Sequence, residues 1–295
     1  MIKNTWYILA IFLLSITSCG DFNKTEDQNQ PEEKKLNPED KVNLEIGQTI
    51  FSIPSPVQMA MDLENSNKPY NSDILHNAQK HDSYSTEFSR AMNMGVYGTD
   101  LAYCCVYGMN SDAISYVASM RQMAKSLNAE YAIDEDLMNR FNSNIDNKDS
   151  LLTLSTLAYE QVDAYLKDND NHDIASLVLA GGWIESMYLF SKGFELDNSE
   201  SRQLQLAQHK FTLQHFIDLL NKIGTSDDYW ELKEMLEDIK VIYNEIPTEY
   251  EYVAPVTNAS KKTTVIKSKS SFKTNLEISK KIAEEFTNLR NYITE

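Results

Sequence analysis

Two carboxylic acids occupy positions where a carboxylate is costly. Asp100 lies within Ala91 to Met109, whose other clearly polar side chains are Asn93 and Thr99, and Glu185 is the one charge in Ile174 to Phe190. An ionised carboxylate in a low-dielectric interior must be neutralised, paired or drawn toward solvent. Each acid is followed three residues later by a tyrosine, Tyr103 or Tyr188, and preceded by an aromatic, Tyr97 or Trp183. Side chains at i and i+3 share a helix face. Asp100 with Tyr103 and Glu185 with Tyr188 are therefore expected to form polar pairs. If those pairs converge on a cavity, they could hold a cation or a small polar ligand, or act as acid and base in carboxylate-based hydrolysis. The alternative is architectural: each acid is tied to a tyrosine, a lysine, an arginine or backbone N–H groups and sets helix register.

Other chemistry is sparsely represented. No H-E-x-x-H, G-x-S-x-G, Walker or dinucleotide glycine pattern occurs. No catalytic residue, metal ligand or cofactor is assigned, and a non-enzymatic role is favoured. The five histidines, His76, His81, His172, His209 and His215, fall in polar loops or on differing helix faces and are expected at the surface. Cys104 and Cys105 are adjacent, cannot bridge within a helix, and read as two buried thiols.

The third cysteine is different. Cys19 ends Leu14-Ser15-Ile16-Thr17-Ser18-Cys19, directly after an apolar run opened by Lys3. That run is about half of the roughly 20 residues a spanning helix needs, and small residues follow it at once. The pattern resembles the bacterial lipobox, which implies cleavage after residue 18 and acylation of Cys19. Two or more acyl chains anchor a protein stably, at about 0.8 kcal/mol for each buried methylene. The expected organisation is a signal peptide at 1–18, a disordered tether at 19–45 and a helical domain at 46–295. An envelope location follows, with the outer membrane as host and its face left open; the membrane is the partner through lipid, alongside a protein partner in the envelope.

Charge narrows the partners further. The formal net charge is −17, and loss of Lys3 with the signal leaves 26 basic against 44 acidic side chains, or −18. Such a field repels polyanions, so nucleic acid is excluded as a partner.

The elements that must position the acids follow from periodicity. Ala91 to Met109 and Ile174 to Phe190 are apolar nearly all round, as helices buried on every face are. Amphipathic helices are expected around them at Ser55 to Asn65, with Ser55 as cap and Gln58 completing a capping box, and at Ser111 to Leu127, Asp134 to Phe141, Leu151 to Leu166, Ser199 to Ile223, Ser226 to Ile246 and Lys273 to Ile293. Thr49 to Ile53 reads as extended. Residues 249–272 favour β structure and carry Lys261, Lys262, Lys267 and Lys269, so they form an irregular segment or small hairpin. The fold class is all-α: a single bundle of about seven or eight helices wrapped around two apolar ones.

Three segments, Ile53-Pro54-Ser55-Pro56, Met92-Asn93-Met94-Gly95-Val96-Tyr97-Gly98-Thr99-Asp100-Leu101-Ala102-Tyr103 and Gly181-Gly182-Trp183-Ile184-Glu185, resemble those of an uncharacterised family of helical bacterial lipoproteins. The resemblance implies an all-helical fold and an envelope location. It brings no activity and no functional residues.

Overall fold

Most helix signals in the chain are obeyed. In a computed structural model, residues 41–46, 49–65, 69–196, 198–223, 226–258, 260 and 263–295 are described. The expected signal peptide, Cys19 and most of the tether lie outside them. The chain opens with an antiparallel hairpin, β1 (Lys41–Ile46) on β2 (Thr49–Pro54), in which Lys41 faces Pro54 and Ile46 faces Thr49. Residues 41–45, expected to end the tether, are thus strand, and the extended segment at 49–53 has a pairing partner.

Helix α1 (Pro56–Asn65) starts where serine and proline direct it. The Gln58 backbone N–H donates to Ser55 Oγ at 3.1 Å, while the Gln58 side-chain oxygen is buried with no donor, so the capping box is half made. Two short 3-10 turns, Ser72–Ile74 and Ala78–Ser83, lead to α2 (Glu87–Val106). Its cap is a full box, Thr86 with Ser89, placed before the expected start at Ala91. There follow α3 (Asn110–Ser126), α4 (Glu135–Ser143), α5 (Lys148–Asp168) and α6 (His172–Leu196). Gly108, Asn128 and Asp170 adopt φ of 68°, 56° and 61° and turn the chain out of α2, α3 and α5. In each case the next residue's N–H reaches back to close a Schellman motif, as Met109 does to the Cys104 carbonyl at 2.8 Å.

The helix expected across 199–223 is two, α7 (Glu200–Gln208) and α8 (Lys210–Ile223), broken at His209. There the His209 N–H bonds to Leu206 O instead of continuing the i to i−4 ladder. Helix α9 (Asp227–Asn244) precedes a β-arm in which β3 (Thr248–Glu251) pairs with β6 (Lys269–Phe272) and β4 (Val256–Asn258) pairs with β5 (Thr263–Val265). The arm realises the hairpin expected at 249–272. Helix α10 (Leu276–Thr294), capped by Asn275, closes the chain. The fold is mostly all-α, with small β pairs.

At its centre, every residue of α2 from Ala91 to Val106 and of α6 from Ile174 to Ser191 is buried. The 172–193 stretch is long and apolar enough to cross a membrane, but its residues from 174 to 191 are all buried inside the protein, as those of a core helix are. Trp183 stacks on Phe216 with centroids 4.7 Å apart and meets Phe286 edge-on at 5.3 Å, joining α6 to α8 and α10.

Glycine lets α2 and α6 touch backbone to backbone. A methyl group at Gly95 would overlap the Val178 carbonyl, and one at Gly181 would overlap the Met92 carbonyl. The Thr99 hydroxyl donates across this contact to the Gly182 carbonyl at 2.9 Å. Gly98 is less constrained, since its added methyl would meet the Tyr159 ring at 3.0 Å, a side chain that can shift. Gly95→Ala or Gly181→Ala should therefore lower stability by about 3 kcal/mol or more, above the ordinary range for overpacking. Gly98→Ala should cost about 1 kcal/mol. Urea unfolding of the three variants checks this, and equal losses at Gly95 and Gly98 would contradict the backbone contact.

Candidate functional site

Asp100 and Glu185 meet. The glycine contact draws α2 and α6 together, and Glu185, one turn beyond Gly181, faces Asp100 at the seam. Neither side chain has any solvent exposure, and the two carboxyl groups are close enough to act on each other's protonation. Two carboxyls buried side by side are not both ionised, because like charges in a dry interior repel. Arg290 of α10 supplies the positive charge: its Nε donates to Glu185 Oε2 at 3.0 Å and its Nη2 to Oε1 at 3.5 Å. Asp100 Oδ2 accepts the His76 backbone N–H at 3.0 Å, whereas Oδ1 receives no conventional donor.

Charge counting identifies the protonation state. Two carboxylates against one guanidinium would leave an uncompensated negative charge in a dry interior, which costs several kcal/mol. One retained proton makes the cluster neutral. Burial, then the Glu185 charge, pushes the Asp100 carboxyl well above the usual carboxylate range, against the opposing pull of Arg290 and the His76 N–H. Burial also raises Glu185, but there Arg290 opposes through both its charge and its hydrogen bonds. Because the guanidinium grips Glu185 directly, the proton belongs on Asp100, at the Oδ1 that has nothing to accept. Burial alone would lower Arg290, yet Glu185 and Asp100 together raise it and hold it charged.

Around the triad lies a shell of aromatic rings. His76 is buried and, chiefly through that burial, is pulled down to about 3, so its imidazole is neutral. Its ring stacks on Tyr97 at 5.5 Å, and its Nε2 lies 2.5 Å from the Tyr84 hydroxyl. The Tyr84 hydroxyl in turn lies 3.4 Å from the Thr294 carbonyl, to which it donates. Tyr116 donates to the His76 carbonyl at 2.7 Å and Tyr97 to the Asn77 carbonyl at 3.1 Å. These bonds fix the loop that presents the His76 N–H to Asp100.

The expected acid–tyrosine pairs are not formed. The Tyr103 hydroxyl accepts the Asn71 N–H at 3.3 Å, and its ring packs with Tyr70 and Tyr107 at 5.5 and 4.6 Å. Tyr188 lies beneath the Arg290 guanidinium, 4.6 Å from the ring centre. Trp183 points to Phe216 and Phe286. Of the four aromatics, Tyr97 reaches the acids' surroundings through His76 and Tyr188 through Arg290, while Tyr103 and Trp183 pack in other clusters. The four therefore belong to separate clusters and do not line one pocket.

Arg290 and His76 are the partners that sequence reasoning passed over. Arg290 falls four residues after Phe286 and three before Ile293, on the apolar stripe of the last helix, and a charge in such a stripe is a signal that could have been read. His76 gave no signal, since it acts through its backbone. The expectation of five surface histidines fails for His76, and for His209, whose imidazole burial pulls down to about 4. The two cysteines are buried free thiols as expected, and burial pushes Cys105 up to about 12. Among the described residues no cluster of histidine, cysteine and acids suits a metal ion. Comparison with protein-family models, curated proteins and solved structures finds no match.

The triad makes a signed prediction. A carboxyl whose folded pKa is raised stabilises fully below its unfolded value of about 3.9 and loses that contribution as pH rises toward the folded value, by up to about 1.4 kcal/mol per pH unit. Asp100→Asn keeps a neutral donor toward Glu185 and removes this loss. Its stability relative to wild type should rise between pH 5 and 8 in urea titrations, and parallel curves would refute the shared proton. Glu185→Gln strands Arg290 and should cost about 3–5 kcal/mol, most of it recovered in Glu185→Gln with Arg290→Met.

Proposed function

We propose that this chain is a lipid-anchored protein of the bacterial cell envelope, held through Cys19, and that its role is non-catalytic binding or assembly. The observation that carries the second half is the closure of the acidic site. Paired-carboxylate hydrolases keep their acids about 5 to 9.5 Å apart so that substrate or water fits between them. Here both acids are fully buried from solvent and act on each other directly, with the Arg290 guanidinium already seated on Glu185. A bound cation would have to displace Arg290, which already neutralises Glu185 at 3.0 Å. The acids thus support the architectural reading weighed from the sequence: they align three helices, and recognition is left to the surface.

The anchor is supported by the sequence Leu14 to Cys19 and by the polar stretch after it, which is poor in apolar residues and suits a leash. Resemblance of the central segments to helical bacterial lipoproteins points the same way. In a bacterial host the full chain should partition with membranes and incorporate an alkyne-tagged palmitate, while Cys19→Ser should be unlabelled and leave the detergent phase. Wild-type protein recovered in the soluble fraction with its first eighteen residues attached would overturn the anchor.

A further inference from the structure

Two outward surfaces of this chain complement one another. The β-arm of residues 248–272 carries Lys261, Lys262, Lys267 and Lys269 against Glu249 and Glu251, a balance of +2, so the rest of the chain carries −17 − 2 = −19. The arm also displays large apolar side chains: Tyr250, Tyr252, Val256, Val265 and Ile266 are all more than half exposed. Val256 and Val265 are cross-strand partners and so share a face. An isolated two-stranded hairpin is marginal in water, and its unpaired edges invite association. Its base is secured by Phe272, whose ring lies 5.9 Å from Phe211, but its outer strands are exposed along their length.

The counterpart lies on α9. Asp227, Trp230, Glu231, Glu234, Asp238, Val241 and Glu245 recur at three- and four-residue intervals on its outer side, and all are exposed. Acidic side chains dominate this stripe, with Trp230 and Val241 set among them at 57% and 64% exposure. From Asp227 to Glu245 it runs about 27 Å at 1.5 Å per residue. Strands β3 and β4, of four and three residues, together amount to roughly 23 Å of extended chain. A basic, apolar ribbon and an acidic, apolar helix face of similar length are thus present in one sequence, and both are open to solvent in the single chain.

We propose that the arm of one copy docks on the α9 face of a second copy, reciprocally, to form a two-fold dimer. Val256, Val265 and Ile266 cover Trp230 and Val241, while Lys267 and Lys269 lie against Glu234 and Asp238. A symmetric pairing uses each surface once and closes the assembly. The inference deepens the assembly reading above by naming the partner.

Sedimentation equilibrium of the full chain in density-matched detergent micelles tests it by charge exchange. Wild type should be dimeric at low salt, with the dissociation constant rising about tenfold or more toward 0.5 M salt as the charges are screened. Lys267→Glu with Lys269→Glu should be monomeric, and so should Glu234→Lys with Asp238→Lys. Mixed in equal amounts, the two variants should form a heterodimer, because both arm–helix contacts are then complementary. All four substitutions are at exposed positions, and circular dichroism verifies that the variants fold. A wild type monomeric at low salt, variants that dimerise as wild type does, or a mixture that stays monomeric overturns the proposal. If wild type is monomeric and binds phosphatidylglycerol vesicles through the arm lysines, the arm is a lipid contact instead. Failure of the dimer leaves palmitate labelling untouched, and failure of labelling leaves the dimer untouched, so the two readings are separable.

Discussion

One proton held between two carboxyl groups, and balanced by one guanidinium, is the constraint on which this fold turns. Asp100 and Glu185 sit on the two most deeply buried helices, where neither could remain ionised alone. Their mutual coupling, the Arg290 fork on Glu185 and the His76 N–H on Asp100 together make a neutral unit in which three helices and one loop must all be in register. Replacing such a unit with apolar side chains is often neutral or stabilising, whereas removing one member is expensive. Its value here is geometric. No apolar substitute would require that α2, α6 and α10 meet at one axial position.

The last helix is joined to the core by more than this ion pair. The Asn93 side chain donates to the Ile293 carbonyl at 2.6 Å, and Tyr84 donates to the Thr294 carbonyl at 3.4 Å. Both acceptors are carbonyls of the final helical turn, which have no partner within the helix. Tyr188 supports the guanidinium from below, so Arg290 is fixed by a carboxylate at its tip and an aromatic face along its plane. A helix 105 residues from Glu185 in sequence thus completes the core begun by α2 and α6. Burial keeps the acids from solvent, so the proposed assembly role rests on the exposed arm and helix face instead.

Much of the fold was legible in the chain. Apolar character on every side marked α2 and α6 as central, Ser55-Pro56 marked the start of α1, and β-favouring residues near 249–272 marked the arm. Local periodicity also placed the acids correctly in the interior. It mispaired them because i, i+3 proximity is a statement about one helix, whereas the partners that matter are 24 and 105 residues away. A backbone N–H, as at His76, carries no sequence signature at all. The break at His209 was hidden for a similar reason: no proline or glycine marks it, and the imidazole is drawn inward to a site 6.5 Å from Trp183 on another helix. Strand β1, expected as the end of the tether, did carry a strand signal, since Val42, Leu44 and Ile46 alternate with Lys41, Asn43 and Glu45, and its register against β2 realises it.

The shared proton can be observed directly by infrared spectroscopy of the folded chain at neutral pH, as the carboxyl C=O stretch of a protonated acid. The account predicts that band in wild type, insensitive to solvent exchange on the time scale of minutes because the site is closed, and its loss in Asp100→Asn with the overall fold retained. Absence of the band in wild type, or its persistence undiminished in Asp100→Asn, would contradict the neutral triad at the centre of the structure.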